Sequence, residues 1–229
     1  MCYNTPMSFS FSAVGFLTVI YIFMFSSALQ KTGIQYILIF YSIMELLQGV
    51  QYSFVDQCSN LWNIYLTEFA YILVILQPFI WNLFYYKNSN ILDKNIFITA
   101  IWLSVVWMIV NILSRILYDK KKDPQTRKNS VYASDEVCTK KELLSHLYWQ
   151  WTSANFNDFN ANMLTYLMIW FIPALISSKF RKSSIILILA SLIAGYVTYI
   201  RNEVLVFTSL WCYVSVPIVL CVLISILYK

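Results

Sequence analysis

The stretch IFITAIWLSVVWMIVNILSRIL, from Ile96 to Leu117, decides the fold class, because Arg115 is its only charged residue. About 20 consecutive apolar residues allow a helix to cross the hydrocarbon core of a bilayer. The whole chain has the same character: 59% of its 229 residues are hydrophobic and 12% are charged, whereas soluble domains are about 25% charged. A soluble fold of this composition would have too few polar side chains to cover its surface. We therefore predict an all-α, polytopic transmembrane protein.

Six further segments are long and apolar enough to cross the membrane, which predicts one domain over residues 1–229 built as a seven-helix bundle. A long polar loop at 118–160 follows the fourth helix. Within that loop, KKELLSHLYWQW from Lys140 to Trp151 has apolar residues four apart, which predicts an amphipathic helix on the membrane surface. The seven predicted spans are Phe9–Leu29, Gly33–Val55, Leu61–Tyr86, Ile96–Leu117, Met163–Ser178, Ser184–Ile200 and Val204–Tyr228.

The cations beside the predicted helix ends orient this bundle. Short segments on the side opposite the N-terminus carry many cations and one acid, Asp93, whereas those on the N-terminal side carry only Arg201, with two acids. Since cytoplasmic loops are rich in Lys and Arg, we expect the N-terminus outside or in a lumen and the C-terminus in the cytoplasm. The cations that favour this orientation are Lys31, Lys87, Lys94, Lys179, Arg181, Lys182 and Lys229.

Three cysteines, Cys2, Cys58 and Cys138, fall on the N-terminal side in this topology. On a non-cytoplasmic face they could form one disulfide and leave one thiol over. A Cys58–Cys138 bond would tie the second connection to the long loop, and Cys2 is the substitute partner. Three free thiols are the alternative.

Several polar side chains fall deep inside the predicted spans, mostly in the half nearer the N-terminal side. Charged groups at such depth are costly and usually face the bundle interior, where they mark ligand or proton pathways. We expect Glu45 and Glu68 to share a polar pocket; a structural ion pair without a ligand is the alternative. Our candidates for ligand binding or proton carrying are Glu45, Gln48, Glu68, Gln77, Asn82, Arg115 and His146.

His146 is the only histidine, and it lies among aromatic residues in the long loop. It is a candidate base, proton carrier or metal ligand, but among these aromatic residues we favour packing at the membrane interface. One histidine and no C-x-x-C spacing do not make a zinc site, so we expect no bound metal. Seven helices with an outward N-terminus resemble rhodopsins, but Val204–Tyr228 has no lysine for retinal, so we expect no cofactor.

These observations predict a membrane protein that binds a small ligand or ion in a polar intramembrane pocket, as a receptor-like sensor, transporter or channel subunit. A membrane-embedded hydrolase or lipid-modifying enzyme, with Glu45, Glu68 and His146 as acid and base, is the first alternative. A structural viral membrane protein is the second. The bilayer is the expected partner and a homo-oligomer is compatible with the sequence. The net charge of +5 is spread over several loops, so no nucleic-acid partner is expected.

The motifs Met44–Gln48 (MELLQ) and Gln77–Asn82 (QPFIWN) resemble those of an uncharacterised family of multi-helix membrane proteins from bacteria and giant DNA viruses. That resemblance also covers Cys2, Asp56-Gln57-Cys58, Asn63, Cys138 and the His146–Trp149 segment, and hence most of the chain. It implies an integral protein of a viral or host-cell membrane. It implies no particular activity for this chain. The sequence departs from the family at Leu73, where the family has a histidine.

Overall fold

The structure, a computed structural model, describes residues 4–116, 136–141, 147–151 and 163–200, and this part of the chain is mostly helical. It contains a single 3-10 turn at Ile91–Asp93 and a small two-stranded sheet. The helices are α1 (Thr5–Phe25), α2 (Ser27–Thr32), α3 (Ile34–Gln51), α4 (Leu61–Asn88), α5 (Lys94–Ile116), α6 (Met163–Ile176) and α7 (Arg181–Ile200). The strands are β1 (Cys138–Lys141) and β2 (Leu147–Gln150).

Helices occupy six of the seven segments in which the sequence predicts a membrane span. Three helical segments are long and apolar enough to cross a membrane, namely Thr5–Phe25, Leu61–Asn88 and Ile91–Ile116. The seventh predicted span, Val204–Tyr228, lies outside the described residues. A bundle of seven spans and its orientation therefore stay predictions.

The first predicted span, Phe9–Leu29, is interrupted at Ser26, where α1 ends and the short α2 follows. The side chain of Gln30 stabilises this break, because its amide nitrogen donates to the carbonyl oxygens of Ile22 at 3.0 Å and Phe23 at 2.8 Å. Carbonyls in the last turn of a helix have no partner within the helix, so a nearby amide donor satisfies them. Gly33 then ends α2 with a positive φ of 78°, a conformation that favours glycine.

Contacts between Cα atoms group the described residues into two compact units. The first draws on Met1–Ser53, Lys141–Tyr148 and Ile186–Lys229, and the second on Phe54–Lys140 and Trp149–Ile185.

In the first unit, α1 packs against α3 through small residues. Gly15 lies so close to Ser42 that a Cβ atom added to the glycine would overlap the serine hydroxyl. The hydroxyl of Ser12 donates to the carbonyl oxygen of Ser42 at 2.9 Å across the same seam. Small residues allow two helix backbones to approach closely, which is the usual way helices associate without a water-driven hydrophobic effect.

In the second unit, α4 packs against α5 and α6 around a cluster of aromatic rings. The ring of Trp81 lies 5.6 Å from that of Trp170, and the ring of Tyr85 lies 5.5 Å from that of Phe97. Trp170 and Phe97 are fully buried. Tilted aromatic pairs at this separation stabilise a core beyond the area that they bury.

Helix α5 buries several polar side chains and exposes many of its large apolar ones. Ser104, Asn111 and Ser114 are buried against the unit, whereas large apolar side chains on the other face are exposed. That distribution reverses the one expected for a helix on a water-soluble protein. The exposed apolar residues of α5 are Ile98, Trp102, Leu103, Val106, Ile109, Ile112, Leu113 and Ile116.

The amphipathic helix predicted for Lys140–Trp151 is wrong where this segment is described. Residues Cys138–Lys141 and Leu147–Gln150 are strands of the two-stranded sheet. Leu147, Trp149 and Trp151 are buried and alternate with less buried residues, which is the period of a strand. Leu147 and Trp151 are also four residues apart, so this short segment fits both a strand and a helix period, and the pairing of the two strands is what the sequence pattern does not show.

We predict that Gly15→Ala lowers the free energy of unfolding by about 1–3 kcal/mol, because the new methyl group overpacks the contact with Ser42. Removing the serine hydroxyl in the double variant Gly15→Ala/Ser42→Ala should restore most of that loss. Unfolding of the detergent-purified proteins measures both effects, with Ser42→Ala alone as the control. Equal stability of the single and double glycine variants would show that the two helices do not meet at this seam.

Candidate functional site

Glu45 is the only carboxyl side chain in the described part of the first unit, and it is deeply buried. Its place on α3 leaves the residue 2% exposed, and Gln48, one turn further along, is fully buried. The hydroxyl of Ser8, on α1, hydrogen-bonds to the Glu45 carboxyl group. Among the described residues, the Oε2 atom of Glu45 has no hydrogen-bond partner. One carboxyl oxygen is thus satisfied, and the other is free to accept a proton, a cation or a donor from a ligand.

Helix α3 is the element that makes such burial possible. Most of its residues are buried, including the polar side chains of Gln35, Glu45, Gln48 and Gln51. It is not among the three helical segments that are apolar enough for a membrane span. An interior helix can carry polar side chains, because its neighbours offer hydrogen bonds that lipid does not.

In the second unit, the structure pairs Arg115 of α5 with Glu68 of α4. The guanidinium carbon of Arg115 also lies 5.0 Å from the centre of the Tyr71 ring, a cation–π contact. The Tyr71 hydroxyl donates to the side-chain oxygen of Asn111 at 3.1 Å, and the Asn111 amide donates to the Trp107 carbonyl at 2.7 Å. These contacts neutralise both charges, and they extend the pair into a polar network between α4 and α5.

A covalent and hydrogen-bonded junction lies at the start of α4. Cys58 and Cys138 form a disulfide with their Cα atoms 5.0 Å apart. The amide nitrogen of Asn63 donates to the carbonyl oxygens of Phe54 at 2.7 Å and Thr139 at 3.0 Å. The backbone N–H of Thr139 donates in turn to the Asn63 side-chain oxygen at 2.9 Å. The Asn63 side chain therefore pairs with both backbone groups of Thr139 in β1, as the backbone of a neighbouring strand would.

Two further contacts continue this junction along α4. The hydroxyls of Thr67 and Thr139 lie 2.7 Å apart, and the indole N–H of Trp151 donates to the Thr67 carbonyl oxygen at 2.9 Å. The Trp151 ring also packs edge-on against Tyr71, at 5.3 Å. The sequence predicts no role for Thr67 or Thr139, and it predicts Trp151 only as part of the amphipathic segment. The available signal was the polar spacing Asn63-x-x-x-Thr67, which places both side chains on one face of α4.

The Gln77–Asn82 motif lies in the interior of the second unit. Asn82 is fully buried, and its amide nitrogen lies 2.9 Å from the Pro78 carbonyl oxygen and 3.1 Å from the Ile169 carbonyl oxygen of α6. Its side-chain oxygen has no partner among the described residues. Gln77 is also buried. The arrangement joins α4 to α6 and leaves one amide oxygen available.

The structure brings together some of the candidate residues and separates others. Glu68 and Arg115 form one cluster in the second unit, whereas Glu45 and Gln48 belong to the first, so the shared pocket stays a prediction. Cys2 and His146 lie outside the described residues. No group of three His, Cys, Asp or Glu side chains that could hold a metal ion occurs within residues 4–116, 136–141, 147–151 and 163–200.

A separate cavity of about 660 Å³ lies between α5 and α6. Its walls are apolar apart from the hydroxyl of Thr165, which accepts a hydrogen bond from the Trp107 indole at 3.3 Å. Without a titratable group this cavity cannot carry acid–base chemistry. It is lined by Leu103, Val106, Trp107, Val110, Leu113, Thr165, Met168 and Ile169.

Residues 6–229 match the model of a family of unknown function (DUF5765). The chain belongs to this family. The match spans nearly the whole sequence and agrees with the resemblance to an uncharacterised family that the MELLQ and QPFIWN motifs indicate. The seven spans of the family and its occurrence in bacteria and giant viruses stay predictions. No curated protein and no solved structure matches the chain.

We predict that Asn63→Ala lowers the free energy of unfolding by about 2 kcal/mol, because it leaves the buried N–H of Thr139 without its acceptor and removes one donor each from the carbonyl oxygens of Phe54 and Thr139. The neighbouring Asn60 is the matched control. It is half-buried and caps α4 by accepting from the Trp62 N–H at 2.9 Å, so Asn60→Ala should cost about 1 kcal/mol. Chemical unfolding of both variants measures the difference. If the Asn60 variant is the less stable one, Asn63 does not hold the junction.

We also predict that Arg115→Met destabilises the protein more than the double variant Arg115→Met/Glu68→Met does. Removing one partner leaves an uncompensated charge, whereas removing both leaves none. The partial exposure of Glu68 should keep the coupling free energy near 1 kcal/mol. A double-mutant cycle on unfolding free energies gives this value. Strictly additive losses would show that the two side chains do not interact.

Proposed function

We propose that this chain is a multi-pass membrane protein that binds a small ligand or ion in a polar intramembrane site, with Glu45 as the proton-carrying group. One observation carries the proposal: Glu45 is 2% exposed, and one of its carboxyl oxygens has no partner among the described residues. The chemistry of the site is reversible proton or cation binding.

The argument begins with the cost of burying a carboxylate. An ionised carboxyl group away from water is strongly unfavourable unless hydrogen bonds or a cation compensate it. Ser8 offers one hydroxyl, which does not replace the several hydrogen bonds that water would give. A proton or a bound cation on Oε2 supplies the remaining stabilisation that the buried carboxyl group requires. Glu45 can therefore alternate between a protonated, neutral state and a state that binds a cation or ligand. A site that couples proton binding to ligand binding needs both states.

The surroundings of Glu45 favour binding over hydrolysis. Ser8 and Gln48 are neutral hydrogen-bonding side chains, suited to orienting a polar ligand beside the carboxyl group. Glu68, the other intramembrane acid, is already paired with Arg115. The Arg115 guanidinium already occupies the Glu68 carboxylate, which leaves Glu45 as the carboxyl group with an unpartnered oxygen among the described residues.

The wider topology that we propose is a bundle of seven spans with the N-terminus outside or in a lumen. Three helical segments have the length and composition for this, and exposed apolar side chains on α1 and α5 suit contact with lipid. The Cys58–Cys138 disulfide at the start of α4 supports an oxidising environment on that side.

Infrared difference spectroscopy tests the proton-carrying role of Glu45 directly. On acidification, the wild-type protein in lipid should gain the carbonyl stretch of a protonated, buried carboxyl group. Glu45→Gln should lose this band and still fold, because the amide keeps the shape of the side chain and an acceptor for Ser8. Glu68→Gln is the matched control, and it should retain the band, since it removes a carboxyl group from the other unit.

A band that is unchanged in Glu45→Gln would refute the assignment of the proton to Glu45. Proteoliposomes containing a pH-sensitive dye then separate transport from sensing. With an imposed membrane potential, a transporter should acidify the vesicles faster than protein-free liposomes do, and Glu45→Gln should abolish that excess. A sensor should show the titrating band without the proton flux.

A further inference from the structure

A second surface, remote in sequence from Glu45, lies at one end of the second unit. It consists of five exposed cations at the end of α4, the start of α5 and the turn between α6 and α7. We name it the basic end. Its members are Lys87, Lys94, Lys179, Arg181 and Lys182.

Contacts between the two turns bring these cations together. The ammonium group of Lys179 donates to the Asn88 carbonyl oxygen at 2.5 Å, next to Lys87 in the sequence. The ring of Phe180 packs against Tyr85 at 4.8 Å and against Phe97 at 5.8 Å. The α6–α7 turn therefore lies on the α4–α5 turn, and the two sets of cations form one surface.

The acid of this region is held inside. Asp93 is the only acidic residue within 83–97 and 172–185, and it is 7% exposed. Its Oδ2 atom accepts hydrogen bonds from the hydroxyls of Ser177 at 2.7 Å and Ser178 at 3.2 Å. With the carboxylate turned inward, the exposed charge of the basic end is entirely positive.

Two apolar side chains project from the middle of the basic end. Ile91 and Leu92 are 85% and 90% exposed, and they lie on the 3-10 turn between Lys87 and Lys94. Burying an aliphatic side chain removes apolar surface from water and is favourable. Each cation near an anionic leaflet adds a favourable electrostatic attraction. A nucleic acid or an acidic soluble protein would use the cations and leave Ile91 and Leu92 in water, whereas a lipid surface satisfies both.

We infer that the basic end binds the headgroups of anionic phospholipids in the leaflet that it faces. The phosphate groups would contact the five cations, and Ile91 and Leu92 would lie at the boundary between headgroups and acyl chains. Apolar faces of α4 and α5 beside this surface then continue into the hydrocarbon. This binding does not depend on the proton-carrying role proposed for Glu45.

Native mass spectrometry of the full chain in detergent tests the inference, with equal amounts of phosphatidylglycerol and phosphatidylcholine as probes. The wild-type protein should retain phosphatidylglycerol several-fold more than phosphatidylcholine. Lys87→Gln/Lys94→Gln/Lys182→Gln should lose most of this preference, since it removes three cations of the basic end. Lys120→Gln/Lys121→Gln/Lys122→Gln is the matched control, because it makes the same change of charge in the 118–160 loop, and it should keep the preference.

Equal retention of the two lipids by the wild type would overturn the inference, as would the same loss of preference in both triple variants. If the basic-end variant does not fold, the salt dependence of the wild type replaces it. Charge-driven binding to headgroups should then weaken steadily as the ionic strength rises. A preference that is independent of salt would count against the basic end.

Discussion

Hydrocarbon offers no hydrogen bonds, and the polar side chains of the described helices meet this constraint largely within their own helix. Buried hydroxyl and amide groups repeatedly donate to the carbonyl oxygen four residues earlier, at 2.6–2.9 Å. Such a bond satisfies a donor without help from another element, so it can be placed at any depth. The pairs are Ser42 with Leu38, Thr67 with Asn63, Asn82 with Pro78, Ser104 with Ala100, Asn111 with Trp107 and Ser191 with Leu187.

This solution works for donors and not for acceptors, because backbone carbonyls are abundant on a helix while its N–H groups are already used. The buried side-chain oxygens of Gln35, Glu45 and Asn82 are accordingly without a partner in the described part of the chain. Glu68 differs, because Arg115 brings donors to it. Of these three unpartnered oxygens, only that of Glu45 belongs to an ionisable group, which is why we propose Glu45 as the place where a proton, cation or ligand binds.

The sequence predicted the features that depend on local composition. Apolar runs located six described helices, and the position of Glu45 within one of them agrees with its burial, whereas Glu68 is partly exposed beside Arg115. The break at Ser26 was missed because hydropathy is continuous there, and the break depends on where the Gln30 side chain reaches. The contact of Asn63 with Thr139 joins residues 76 apart, and no spacing rule connects them.

The disulfide between Cys58 and Cys138 also restricts how the chain can thread through a bilayer. Two thiols can be joined only on the same face, so the polypeptide between them must traverse the membrane an even number of times. Helices α4 and α5 lie within this 80-residue interval, and both belong to segments that are long and apolar enough to cross a membrane, so two crossings there would meet this condition. In a chain threaded in this way, the bond would form only after the second of these helices has been made and inserted. The covalent link would then hold a completed out-and-back passage together, and by constraining the unfolded chain it would stabilise the folded state by about 4 kcal/mol.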